Sequence, residues 1–144
     1  MLHSLLCFFI LILLLAIAYI DYTKKIIPNT YNITLFLLGL FWAVAEPHLL
    51  TPKERIMGIF IISLPCILLN LLYPGGIGGG DIKMLSAAGF CLGWKSILRG
   101  AMTASLLASI IFAVLLLQKK ITKKDKLPFG PYLCIGMAVE LLCI

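Results

Sequence analysis

The sequence predicts an all-α integral membrane protein: a six-transmembrane-helix bundle, N-terminus and C-terminus outside, with residues 1–144 forming one domain. Three observations carry this. Of the 144 residues, 62% are hydrophobic and 12% charged, and a mean hydropathy of +1.10 lies far above that of a soluble domain, whose apolar share is about half. Apolar runs recur along the whole chain instead of forming one core-sized patch. Lysine and arginine collect at alternate junctions between those runs, as membrane topology requires.

An α-helix rises about 1.5 Å per residue, so roughly 30 Å of hydrocarbon takes about twenty apolar residues, fewer where protein shields the ends. The first segment, 5–20, is apolar enough for a secretory signal. No small-residue cleavage site follows it and equally apolar segments come later, so it reads as a retained span. The second runs 30–45 and the third 56–73, where Pro65 is expected to introduce a kink. The fourth, 82–92, is short. The fifth, 97–117, repeats Gly100, Ala101, Ala104, Ser105 and Ala108 at helical spacing, a face suited to close helix contact. The sixth runs 128–143. No segment alternates with period two, which disfavours strands and a transmembrane barrel. With no repeat, soluble insert or long linker, a single domain is expected.

Orientation follows from the basic residues, which are retained on the cytoplasmic side. Lys24, Lys25, Lys83, Lys119, Lys120, Lys123, Lys124 and Lys126 fall on one side of the six segments, whereas Lys53, Arg55, Lys95 and Arg99 fall on the other, partly offset by Glu46 and Glu54. The lysine-rich side is therefore inside. If the short fourth segment did not cross, the loop containing Lys119 to Lys126 would fall outside and the bias would weaken. Trp42 and Trp94 fit an outer aromatic belt.

The net charge of +6 raises the possibility of nucleic acid, but the basic residues sit between apolar runs and form no stripe interleaved with aromatics. The expected partner is the lipid bilayer, with no nucleic acid. Cys7, Cys66, Cys91, Cys134 and Cys143 stand singly in apolar stretches and read as small apolar fillers. Only His3 and Cys7 share helical spacing, and two ligands do not make a site; no metal, disulfide framework or cofactor is predicted.

Six acidic residues remain. Glu46, Glu54 and Asp125 belong to polar loops. Asp21, Asp81 and Glu140 lie at bilayer depth, where an ionised side chain costs at least about 2.5 kcal/mol and needs an explanation. Glu140 falls near the outer boundary and is expected to snorkel to the headgroups. Asn70, near the inner end of the third segment, is expected to bond a neighbouring helix or an active-site group.

Asp21 ends the first segment and Asp81 begins the fourth, so the topology puts both at the inner boundary. Helix capping is a sound alternative for Asp81, which precedes a helical run. It is weaker for Asp21, at a helix C-terminus where the dipole disfavours an anion. Two neighbouring carboxylates sharing one proton suit peptide hydrolysis: the ionised member takes a proton from water, and the protonated member polarises the scissile carbonyl and then donates to the leaving nitrogen. The loop from Pro74 to Gly80 holds five glycines, which permit close approach of an extended peptide. A phosphate-binding reading fails because the GxxxxGK[ST] spacing and the preceding strand are absent.

The segment Ile20-Asp21-Tyr22-Thr23-Lys24-Lys25-Ile26-Ile27-Pro28-Asn29 resembles the first aspartate motif of type IV prepilin peptidases. Gly78-Gly79-Gly80-Asp81-Ile82-Lys83 is similar to their GxGD signature, and Pro128-Phe129-Gly130-Pro131-Tyr132 resembles the PFGP segment that opens their last span. The resemblance implies a membrane aspartic endopeptidase. Its substrate would be a prepilin-like or pseudopilin precursor, whose short basic leader is removed at the cytoplasmic face ahead of a hydrophobic helix. Asp21 and Asp81 would be the catalytic pair. Gly78, Gly79, Gly80, Lys83, Pro128, Phe129, Gly130 and Pro131 would bind substrate, or serve loop packing in the case of Lys83 and the Pro128–Pro131 segment. The cysteine-paired insert of the longer bacterial members has no counterpart between the first two segments. The chain thus resembles the minimal, peptidase-only form, for which no methyl transfer is predicted. Alternatives from the residues are a small transporter or channel subunit with cation-binding aspartates, a GxGD protease cutting within the bilayer, or an idle assembly scaffold.

Overall fold

A computed structural model describes residues 2–120 and 128–143. Five helices follow one another: α1 (Leu2–Lys24), α2 (Asn29–Ala45), α3 (Pro52–Leu72), α4 (Gly79–Leu117) and α5 (Gly130–Leu142). The described residues contain no strand. By length and composition α1, α3 and α4 are each long and apolar enough to cross a membrane, while α2 and α5 are apolar but shorter.

Why these stretches are helical, and which face each buries, is visible residue by residue. On α1 the buried positions are Leu6, Ile10, Leu14, Ile17 and Asp21, one narrow stripe at helical spacing. The flanking Leu5, Phe8, Phe9, Ile12 and Leu15 stay exposed, an apolar exterior that water would penalise and hydrocarbon does not. Asp21 extends the buried stripe and so points into the protein. The start of α3 is fixed by a reciprocal cap: Thr51 Oγ1 accepts from Glu54 N (3.3 Å) and Thr51 N donates to Glu54 Oε2 (3.0 Å), with Pro52 in the first turn. α3 then continues through Pro65 as one helix.

α4 is the element the others pack on; α2, α3 and α5 all touch it, and α1 rests on α5 and α2. Its helix is broken at Gly93, whose φ of 77° and ψ of 168° are strained for any residue with a Cβ. The fourth and fifth segments expected from the sequence are therefore two arms of one element, joined by a single residue where a short loop was expected. The arms fold back on each other. Leu85 and Ala101, and likewise Asp81 and Ser105, line one cavity, whereas in a straight helix Asp81 and Ser105 would lie roughly 36 Å apart. Arg55 of α3, 3% exposed, steadies the break by donating from Nη1 to the carbonyl of Phe90 (3.3 Å), near the end of the first arm.

Close backbone approach is secured by glycine pairs. A Cβ on Gly58 or Gly89 would overlap the other's backbone, joining α3 to the first arm, and Gly136 stands in the same relation to Gly100 between α5 and the second arm. Of the small-residue face expected on the fifth segment, Gly100 makes this contact and Ala104 is fully buried.

Several sequence expectations are corrected. Glu140 does not snorkel: it is 7% exposed and bonded to Arg99, at 2.7 Å from Nη2 and 2.9 Å from Nε. The guanidinium comes to the carboxylate because Arg99 lies on the neighbouring arm of α4. Trp42 is fully buried instead of belonging to an aromatic belt, since its Nε1 finds Glu46 Oε2 at 3.1 Å. For Asn70, open to either a neighbouring helix or a group of the site, the partner among the described residues is the glycine loop: its Oδ1 accepts from Gly75 N (3.1 Å). Lys123, Lys124, Asp125 and Lys126 lie outside the described residues.

Two predictions follow from this packing. Gly89→Val drives a branched side chain into the α3 backbone and should cost about 1–3 kcal/mol or more; thermal unfolding in detergent micelles measures it. At the end of α2, hydrogen bonds from His3 (2.8 Å) and Trp42 hold the Glu46 carboxyl below its ordinary range. A depressed carboxylate contributes stability above its unfolded pKa and loses it as pH falls through the folded one. Melting of Glu46→Gln should therefore depend less on pH than that of the unaltered chain as acid is added below about pH 4.5.

Candidate active site

At one end of the bundle, the last turn of α1, the first turn of α4 and the start of α5 converge on a cavity of about 690 Å³. Asp21 and Asp81 both line it, along with Lys25, Cys66, Ser105 and Phe129. Asp21 is 5% exposed and Asp81 half-buried. The two carboxylates, far apart in the chain, thus open on one space.

Each aspartate reaches this position through a helix N-terminus. Asp81 lies in the first turn of α4, after the extended Gly78, where the partial positive charge of the helix end favours an anion. Asp21 lies at the C-terminal end of its own helix, the unfavourable end. There the Gly130 N–H donates to its Oδ2 at 2.9 Å, and Gly130 is the first residue of α5. The α5 N-terminus offsets what the α1 C-terminus costs, with a backbone donor to an anion of the strong kind.

Glycine makes room for both carboxylates. A Cβ on Gly130 would sit 2.5 Å from Asp21 Oδ2, and one on Gly78 would sit 2.9 Å from Asp81 Oδ2. Between α3 and α4 the chain turns through Gly75, at a φ of 83°, with Gly76 N bonded to the carbonyl of Tyr73 (3.1 Å). Gly75, Gly76, Ile77 and Gly78 from this turn form part of the cavity wall.

The other residues singled out in the sequence divide into two groups. Gly78, Pro128 and Phe129 line the cavity. Gly79, Gly80, Lys83, Gly130 and Pro131 are not among its lining residues. Gly79 faces open space, and Gly80 packs on Ile27, where a Cβ would come within 3.0 Å of Ile27 Cβ. Lys83 Nζ donates to Asn29 Oδ1 at 2.9 Å, and Pro131 occupies the first turn of α5. Sequence reasoning passed over Lys25, Cys66, Ala101 and Ser105, all on the wall. Lys25 stands four residues beyond Asp21 and adopts a left-handed φ of 53°; its proximity to Asp21 was a signal that helical spacing could have supplied. Nothing in the sequence distinguishes Cys66 or Ser105 from other small residues of their helices. Among the described residues no three His, Cys, Asp or Glu side chains converge in a way that could hold a metal ion.

The chain matches the Type IV leader peptidase family over residues 8–117, a stretch that contains both aspartates and ends before Pro128. It is 28% identical over 134 residues to a Bacillus subtilis (strain 168) protein described as a prepilin leader peptidase/N-methyltransferase, covering 90% of this chain and 52% of that relative. Relatives of the same description from Xanthomonas campestris pv. campestris and Dickeya chrysanthemi are each 30% identical, over 85% and 99% of this chain and 44% and 50% of their own lengths. No solved structure matches. This chain belongs to the type IV leader peptidase family. It spans about half the length of the relatives named.

Gly130→Ala should displace the Asp21 carboxyl or push α5 outward, with a loss of about 1–3 kcal/mol from overpacking. A lower melting temperature in detergent than that of Gly79→Ala, where a Cβ meets nothing, is the expected result.

Proposed function

We propose that this protein is a membrane aspartic endopeptidase, acting through Asp21 and Asp81 on prepilin-like or pseudopilin precursors at the cytoplasmic face of the cell membrane. The observation that carries the reading is that the aspartates of two motif segments line one cavity in a chain of the type IV leader peptidase family. In this reading residues 1–144 act as one transmembrane domain. The helical rods α1, α2, α3, the two arms of α4, and α5 make six crossings with both ends outside, which leaves the aspartates near the inner boundary.

Two carboxylates in one low-dielectric cavity hold a single proton more readily than two charges or none. The ionised member abstracts a proton from water, and the resulting nucleophile attacks the scissile carbonyl. The protonated member donates a hydrogen bond to the carbonyl oxygen and then its proton to the leaving nitrogen. A peptide enters as extended backbone along the turn at Gly75 to Gly78, whose three glycines admit it closely, with Pro128 and Phe129 also on the cavity wall. The hydrophobic helix that follows the cut site remains in lipid.

Asp21→Asn and Asp81→Asn should each abolish removal of the leader from a co-expressed precursor with a basic leader, a glycine and a hydrophobic run, while the variants still accumulate in the membrane. Mass spectrometry of the product checks this. Continued cleavage by either variant removes that residue from the pair, and a cut inside the hydrophobic run points to an intramembrane protease instead. Because one proton must be shared, the rate should fall on both the acid and the alkaline side of an optimum.

A further inference from the structure

Asp21 has a backbone donor to hold it, but the side chain of Asp81 has no hydrogen bond among the described residues. Its direction is therefore set by the backbone that carries it, the first turn of α4. That turn is gripped from one side by the start of α2. Asn32 Nδ2 donates to the Gly80 carbonyl at 3.4 Å, and Asn29 Oδ1 accepts from Lys83 Nζ at 2.9 Å. Asn29 and Asn32 share one face of α2 at i, i+3, and Gly80 and Lys83 are likewise three apart on α4, on either side of Asp81. Ile27 closes the grip, in contact with the Gly80 backbone.

Asn32 is a costly residue for its place. It is 5% exposed, and its Oδ1 is buried without a partner. A buried amide with an unmet acceptor opposes folding by about 1–3 kcal/mol, and an apolar side chain would fill the site without that cost, as Leu35 does one turn further along. The grip also originates in the segment that leaves Asp21: α1 ends at Lys24 and Ile27, Asn29 and Asn32 follow directly. The same short stretch that starts from one aspartate thus holds the turn bearing the other.

We propose that Asn32 is a positioning residue which, with the Asn29–Lys83 bond, fixes the first turn of α4 so that Asp81 faces Asp21 across the cavity. The catalytic consequence rests on the peptidase reading of the pair; the geometric one does not. It also gives Lys83 a place in the framework of the site, one step removed from substrate.

The test uses the full chain in detergent micelles. In the first arm of the test, Asn32→Leu keeps a branched side chain but removes the donor, and Asn32→Gln retains the amide. Cleavage of a pilin-like precursor by Asn32→Leu should show kcat lower by roughly tenfold to a hundredfold, as displacement of a reacting group by about 1 Å would cause. KM should hold steady, and Asn32→Gln, which retains the amide donor, should keep more of the rate than Asn32→Leu. In the second arm, Asp21→Cys and Asp81→Cys are combined and joined by a short bifunctional thiol reagent, with the 21–81 link identified by peptide mapping. The link should form readily, and its yield should drop severalfold when Asn32→Leu is added. Lys83→Met, at an exposed position, loosens the other contact and should lower the yield as well; it carries the second arm alone if Asn32→Leu does not fold. An unchanged yield with either substitution overturns the proposal, even where cleavage is normal. If the unaltered chain cuts no precursor while the yield still falls, the peptidase reading is lost and the positioning role stands.

Discussion

A buried carboxylate at the wrong end of its own helix must borrow compensation from elsewhere, and the arrangement of this bundle follows from that need. Asp21 lies where the carbonyls of α1 run out, so its charge meets a negative helix end. The backbone N–H of Gly130 supplies the missing donor, and it can do so only if α5 begins against the last turn of α1. Docking α5 there brings Pro128 and Phe129 to the wall of the cavity and sets α5 along the second arm of α4, where Gly100 and Gly136 let the backbones meet. One hydrogen bond thereby links the placement of the acid, the closing wall of the cavity and the seat of the last helix.

The two aspartates are not equivalent in how they are held. Asp21 is fixed through its side chain, within the buried stripe of α1 and under the α5 N-terminus. Asp81 is fixed through its backbone, in the first turn of α4, and its carboxyl lies beside Gly78 on the cavity wall. The first is locked by its own contacts, the second by those of the turn that carries it.

Much of this was legible in the amino-acid order. Apolar length marks the helices, and two motifs mark the aspartates that share the cavity. Gly130 belongs to a motif, but its bond to Asp21 is not legible there, because a main-chain donor to a residue more than a hundred positions away leaves no trace in composition. The two errors concerning Glu140 and Trp42 share one cause. Depth along a helix says nothing of the polar partner that keeps a side chain inside: Arg99 across the packing seam for Glu140, and Glu46 one turn further along, at the end of the same helix, for Trp42. Gly93 stood inside the gap expected between two segments, yet only its left-handed backbone shows that the gap is a single residue.

That single residue bears on how the chain enters a bilayer. The first arm of α4 is short and carries Asp81 and Lys83, so released alone it would partition poorly into hydrocarbon. With no polar linker to pause at, it is tied to the long, uncharged stretch that follows Arg99. The pair is suited to leave the insertion channel together as a helical hairpin, the more apolar arm towing the acidic one. Lengthening the turn with a hydrophilic stretch would uncouple the two and leave the shorter arm without that support.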